Sequence, residues 1–121
     1  MQPTLWSIAE PRTYDPAAEA DREELFQQWL DRNHDAVAEM EAWAVQIQER
    51  GMPVSVQYLF EKERYEGSAD LYSVPFVTVS GKVSRYSINH NDRALFGRRL
   101  QRKFPDMDVR TRRSKYDGRN R

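Results

Sequence analysis

Residues 71–105 read LYSVPFVTVSGKVSRYSINHNDRALFGRRLQRKFP, and the hydrophobic period changes inside that stretch. From Leu71 to Ile88 the period is two. Phe76-Val77-Thr78-Val79 and Lys82 through Ile88 are rich in β-branched and aromatic residues, and Ser80-Gly81 between them supplies a turn. That pattern predicts a short hairpin. Asn89-His90-Asn91-Asp92 is a cluster of helix-capping residues, and a helix is expected from about Asp92 to Phe104, where Pro105 stops it. A hairpin feeding a helix makes the fold α+β.

At 100° per residue, Phe96, Leu100 and Phe104 fall within about 80° of one another and form a buried stripe. Arg98 and Arg102 point the opposite way, while Arg99 and Lys103 flank the stripe on one side. The helix therefore has one apolar edge and a basic outer surface. Gly97 in its middle costs about 1 kcal/mol relative to Ala, so it either admits a close neighbour or is simply tolerated. Beyond Pro105, Val109 to Arg113 alternates Val109, Thr111 and Arg113 against Arg110 and Arg112 and reads as a final strand. Residues 114–121 read as a solvated basic tail that contains Lys115.

Upstream, the period is that of helices. Val56, Leu59 and Phe60 mark a helix that starts at Val54 or Ser55 and ends at Gly67, with Glu61, Lys62, Glu63 and Arg64 on its wet side. Before it, Val37, Met40, Ala44 and Ile47 mark a second helix closed by Gly51 and preceded by Asn33 as cap. Leu25, Phe26, Trp29 and Leu30 mark a first helix that begins near Pro16 or Ala17, with Glu19, Asp21, Glu23 and Glu24 at its positive end. Pro3, Pro11 and Pro16 break any earlier periodicity, so residues 1–16 read as an extended arm, pinned by Trp6 and Ile8, ahead of a single domain over residues 17–113.

A chain of 121 residues has room for one core. Mean hydropathy is low at -0.90, yet three Trp, six Tyr and five Phe bury large areas and argue against wholesale disorder. No apolar run reaches the length of a membrane span, and the first residues lack a basic-then-apolar leader pattern. With no Cys there is no disulfide framework, thiol nucleophile or thiolate metal site. A cytoplasmic protein with no membrane partner is expected.

The net charge of zero conceals an asymmetry. Residues 1–80 carry 6 Lys+Arg against 15 Asp+Glu, a balance of -9, and residues 81–121 carry 13 against 4, a balance of +9. Such halves either meet a charged partner or neutralise each other. A basic helix followed by Arg110, Arg112, Arg113 and Lys115 suits the phosphates of a duplex, and Arg grips phosphates and guanine edges bidentately. Nothing points to an enzyme, a cofactor or a metal. His34 with Asp31 and Asp35, or His90 with Asp92, lacks the spacing of a metal motif and reads as capping. No nucleophile elbow or Gly-rich phosphate loop is present, and Glu39, Glu41, Glu61 and Glu63 read as solubilising residues on wet helix faces.

Trp29-Leu30-Asp31-Arg32-Asn33, the segment from Gly51 through Glu63-Arg64, and Tyr86 through Asn91 recur in one order with Leu95 through Leu100 and with Phe104-Pro105 through Arg112-Arg113-Ser114. Over about Phe26 to Asp117 this arrangement resembles small uncharacterised proteins encoded by bacteriophages and prophages. The resemblance implies a role inside a bacterial host. The element order is also similar to a winged helix, with Asp92 to Phe104 as recognition helix and Val109 to Lys115 in the wing. A hairpin inserted between Gly67 and Asn91 departs from the usual short turn of a helix-turn-helix.

The leading expectation is a nucleic-acid-binding regulator, duplex DNA being the favoured target. Arg98, Arg102 and Lys103 are expected to face phosphates or base edges, and Arg93, Arg110, Arg112, Arg113 and Lys115 to contact the backbone. Asn89 and Asn91 cap the helix and offer a phosphate contact at its N-terminus. Two other readings stand beside it. One is a protein-binding module, such as an inhibitor of a host machine, that uses Glu19, Asp21, Glu23, Glu24, Asp31, Asp35, Glu39 and Glu41. The other is a homodimer that joins the acidic half of one chain to the basic half of another.

Overall fold

A computed structural model describes residues 12–89 and 92–111. It is α+β, with four helices, a three-stranded mixed sheet and a separate two-stranded pairing. In chain order the elements are β1 (Thr13–Tyr14), α1 (Glu19–Arg32), α2 (His34–Glu49), β2 (Val54–Ser55), α3 (Val56–Glu66), β3 (Val74–Thr78), β4 (Val83–Tyr86), α4 (Arg93–Lys103) and β5 (Val109–Arg110).

The helices form where the apolar spacing places them, and each buries one stripe. Leu25, Phe26, Trp29 and Leu30 go inward from α1, Val37, Met40 and Ala44 from α2, Val56, Leu59 and Phe60 from α3, and Leu95, Phe96 and Leu100 from α4. A line of rings ties three of them together. Trp29 lies 6.4 Å from Phe26 and 5.9 Å from Phe60, and Phe60 meets Phe96 edge-on at 5.2 Å. Such pairs add about 0.5–1.5 kcal/mol each beyond their burial.

The hairpin has the expected turn. Gly81 takes a positive φ of 89°, and its N–H donates to Thr78 O at 2.8 Å. Val74 pairs with Tyr86 and Phe76 with Ser84 across the antiparallel register, so Val74, Phe76 and Tyr86 reach the core while Val83 stands 71% exposed.

The structure adds pairings that local patterns do not encode. Thr13–Tyr14 pairs in parallel with Val77–Thr78, so the end of the expected arm is an edge strand of the sheet. Trp6 and Ile8 lie outside the described residues. Pro16 precedes the first helix by a turn, in which Ala18 N–H donates to Asp15 O at 2.9 Å. Val54–Ser55, read as the start of the third helix, is a strand paired in parallel with Val109–Arg110. The Ser55 hydroxyl then caps α3 by accepting from Tyr58 N–H at 3.1 Å.

Asn33 corrects a second expectation. It ends α1 and begins α2, but its side chain does not cap α2. Its Nδ2 donates to Trp29 O and to Tyr72 O, both at 2.9 Å, and its Oδ1 accepts from Tyr72 N–H at 2.6 Å. A buried amide carries donors and an acceptor, so it satisfies both backbone groups of Tyr72 and fixes the chain entering the hairpin to the helix junction.

Two glutamates expected on wet faces are buried. Glu41 is 8% exposed and Glu63 2%. Glu63 follows Val56, Leu59 and Phe60 at helical spacing, so the α3 stripe continues through it.

Candidate nucleic-acid interface

The interface is built on α4, whose inner edge is pinned by Phe96 and Leu100, both fully buried. Its start is set by Asn89, which accepts from Asp92 N–H through Oδ1 at 3.0 Å and through its backbone oxygen at 3.1 Å. The N-cap of α4 is Asp92, with no side-chain cap bond, so the Asn89 side chain fixes the turn ahead of the helix and does not cap it; Asn91 and His90 lie outside the described residues. Asp92 is buried, and burial raises its carboxyl pKa against the opposing effect of Arg22, whose Nε lies 3.8 Å away. Burial, with the Asp92 charge second, likewise pushes the Tyr86 hydroxyl up.

Around this helix the five cations divide by what they touch. Arg99 Nε donates to Glu41 Oε2 at 3.1 Å, and Lys103 Nζ donates to Glu41 Oε1 at 2.7 Å. Both are therefore committed to one buried carboxylate on α2. Lys103, expected to face phosphate, is held by Glu41. Arg93 does not reach the surface: it is 6% exposed and its guanidinium lies 5.6 Å from the Phe60 ring centroid. The first residue of α4 sits where the helix meets α3, so its side chain is enclosed by the core edge.

Arg98 and Arg102 behave differently. Both are exposed, they stand one turn apart, and among the described residues neither makes an ion pair. Together with Arg99 they rim a groove of about 350 Å³ between α1 and α4, whose floor is Phe26, Leu30 and Leu95 and whose far wall carries Glu23 and Gln27. Arg98 also borders a second, shallower groove formed with Gly97, Gln101, Val109 and Thr111.

Gly97 makes that second groove. A Cβ there would stand 2.8 Å from Thr111 Cγ2 and 3.5 Å from Val56 Cγ2, so the missing side chain admits the end of β5 against the helix. Arg110 on β5 is exposed and bound to its own neighbour, with Nη2 2.9 Å from Asp108 Oδ2. Such an exposed pair is worth little and opens easily. Arg112, Arg113 and Lys115 lie outside the described residues.

The acidic half is also partly engaged. Arg12 bridges Asp21 at 2.7 Å and Glu24 at 2.8 Å on α1, while Glu19 and Glu23 remain exposed. His34 Nε2 lies 3.1 Å from Asp35, and among the described residues no group of three His, Asp or Glu is placed to hold a metal ion. Among the same residues, no helix is long and apolar enough to cross a membrane.

By angle alone the sequence sets Arg98 and Arg102 apart from Arg99 and Lys103, yet Lys103 was expected on phosphate beside Arg98 and Arg102, and the structure has it on Glu41. Sequence reasoning missed the buried Glu41 that gives the separation its meaning. The signal was available, because Glu41 follows Val37 at i+4 and precedes Ala44 at i+3 on the buried stripe of α2. No family model, curated protein or solved structure matches this chain.

Proposed function

We propose that this chain binds nucleic acid through the outer face of α4, with Arg98 and Arg102 on phosphates or base edges and Arg110 at the margin. Arg112, Arg113 and Lys115 extend the basic run beyond β5 and belong to the same footprint. The observation that carries the reading is the division of the α4 cations: the acidic half takes up Arg99 and Lys103 and, among the described residues, leaves Arg98 and Arg102 without an ion pair. Self-neutralisation of the two halves is thus incomplete where a ligand would dock. Arg98 and Arg102 branch from the helix at points about 6 Å apart along its axis. A duplex strand carries a phosphate every 3.4 Å or so of its own axis.

In the same reading α4 enters a groove as a recognition helix, with the segment from Val109 onward beside it as the wing. The close seating of Thr111 on Gly97 supports this by fixing that segment to the helix. The pairing of β5 with β2, and a hairpin that precedes α4, are departures from a simple winged helix. The resemblance to phage and prophage proteins makes a regulator acting in a bacterial host the natural setting.

The test is a titration against labelled duplex DNA, duplex RNA and single strands at about 50 and 200 mM salt. Binding should be micromolar or tighter at the lower salt and fall steeply with salt. Replacing Arg98 and Arg102 together with Ala should reduce the log–log salt slope by about 1.8, at 0.9 per lost phosphate contact. Absence of binding to every probe at the lower salt refutes the reading. It would leave the acidic face of α1, with Glu19 and Glu23, as the surface for a basic protein partner.

A further inference from the structure

The loop at residues 67–72 is tied to the helices at both ends. At its far end Asn33 holds both backbone groups of Tyr72. At its near end Ser68 donates through its N–H and its Oγ to the two carboxyl oxygens of Glu39 on α2, both at 2.9 Å. Gly67 lies against Glu63 of α3, since a Cβ there would collide with Glu63 Oε2 and stand 2.6 Å from Cδ. Together with Trp29, Phe60 and Ile88 the loop also walls a cavity of about 520 Å³.

Glu63 is the unusual member of this arrangement. It is 2% exposed, both of its carboxyl oxygens are closed to water, and among the described residues neither has a hydrogen-bond partner of good geometry. Its neighbour on α2 is Glu39, near enough for the two carboxyl groups to hydrogen-bond. Ionised carboxylates only accept, so two of them can bond to each other only through a proton carried by one. Ser68 brings its donors to Glu39, which makes Glu39 the ionised member and Glu63 the protonated one. One oxygen of Glu63 is then a hydroxyl that donates to Glu39.

The charged groups around the pair do not replace that proton. Among the described residues Glu63 makes no ion pair. On α3, Lys62 bridges Glu66 at 3.0 Å and Arg64 lines the cavity. From α1, Arg32 lies 5.7 Å from the Tyr72 ring centroid, and from α4, Arg93 lies 5.6 Å from that of Phe60. On α2, His34 faces Asp35 at 3.1 Å, and Glu41 holds Arg99 and Lys103. Asp70 in the loop is a further carboxyl group, and Val54–Ser55 of β2 brings no charge.

We propose that Glu39 and Glu63 hold one proton between them, and that this proton latches residues 67–70 onto α2 and α3. Burial first and Glu39 second push the Glu63 carboxyl up to about 7, and the Ala69 N–H opposes this only in part. The Ser68 N–H foremost keeps Glu39 below the usual carboxyl range. The latch is therefore closed at acidic pH and opens as pH rises through neutrality. Loss of the proton leaves two carboxylates side by side and out of water, and turning residues 67–70 outward is what hydrates them. Asn33 keeps Tyr72 in place, so the release ends there and admits water to the cavity beside Trp29 and Phe60.

The test is amide hydrogen exchange of the full ¹⁵N-labelled chain, read as protection factors at pH 6 and pH 8. With Glu63 at its ordinary 4.5 in the open loop and at about 7 in the closed one, opening should become about 10-fold more frequent over that interval. Ser68 and Ala69 should lose protection by that factor while staying less protected than Phe96 and Leu100 in the core. Glu63→Gln sets a permanent donor against Glu39, so its loop should stay closed at both pH values. Three results would each overturn the proposal: pH-independent protection of Ser68 in the parent protein, protection of Ser68 equal to that of Phe96 and Leu100, or an unchanged pH response in a folded Glu63→Gln variant. The first two use the unaltered protein and decide the matter even if that variant fails to fold.

Discussion

Replacing Glu41 with Gln tests whether the acidic half withholds cations from a ligand. Glu41 is the shared acceptor of Arg99 and Lys103 and is 8% exposed, so Gln preserves its volume, removes the charge and replaces one of the two accepting oxygens with an NH2 that cannot accept from either cation. A hydrogen bond to a charged group is worth about 1.5–3 kcal/mol. The Arg99 and Lys103 side chains, however, keep 30% and 50% of their surface and can turn into water once released. That freedom discounts the total loss to about 1–2 kcal/mol, or a fall in Tm of roughly 3–10 °C for a domain of this size. The freed cations flank Arg98 and Arg102 on the same helix. Two additional phosphate contacts would steepen the salt slope by about 1.8. Between 50 and 200 mM salt that amounts to about a 12-fold greater loss of affinity than in the parent protein. The assay is the duplex titration described above, run on both proteins at temperatures where both are folded. A variant that is less stable yet binds with unchanged affinity and slope would refute the idea that Glu41 restrains part of the basic surface.

Three further outcomes are expected. Asn33→Ala removes the bonds to Trp29 O, Tyr72 O and Tyr72 N–H and should cost about 2–4 kcal/mol in urea unfolding; a loss below about 0.5 kcal/mol would show that the junction does not depend on that amide. Gly67→Ala places a Cβ 2.5 Å from Glu63 O and in collision with Oε2, and should destabilise by about 1–3 kcal/mol. A Tm within about 1 °C of the parent would contradict the tight fit of Glu63 beneath the loop. The folded-state pKa of Glu63, about 7, lies above its ordinary 4.5, so the native state binds more protons across that interval. Stability contributed by the protonated form is therefore present at low pH and lost as pH rises from 4.5 through 7. Glu63→Gln should flatten that part of the profile in denaturant unfolding, and an unchanged profile would place the titration elsewhere.

The sequence by itself determined the helices, the hairpin and the polarity of α4. Each rests on a local period or a local breaker: Phe96, Leu100 and Phe104 on one edge, Gly81 at positive φ in the turn, Pro105 after the last helix. Angles on a wheel also put Arg98 and Arg102 opposite the buried stripe, which needs no knowledge of the rest of the chain. Tertiary structure alone decided what the side chains meet. Thr13–Tyr14 and Val54–Ser55 are too short to show a strand period, and their partners at Val77–Thr78 and Val109–Arg110 lie more than fifty residues away. Asn33 looked like a cap because capping is what a local reading can see; its real partner, Tyr72, is 39 residues distant. Glu41 and Glu63 show the same limit from the other side. Their spacing placed them on buried stripes, but their charge outweighed the spacing in a reading made one residue at a time. Whether a charged residue can be buried depends on its surroundings across the fold, here two cations from α4 for Glu41 and an aromatic cavity beside a second carboxylate for Glu63.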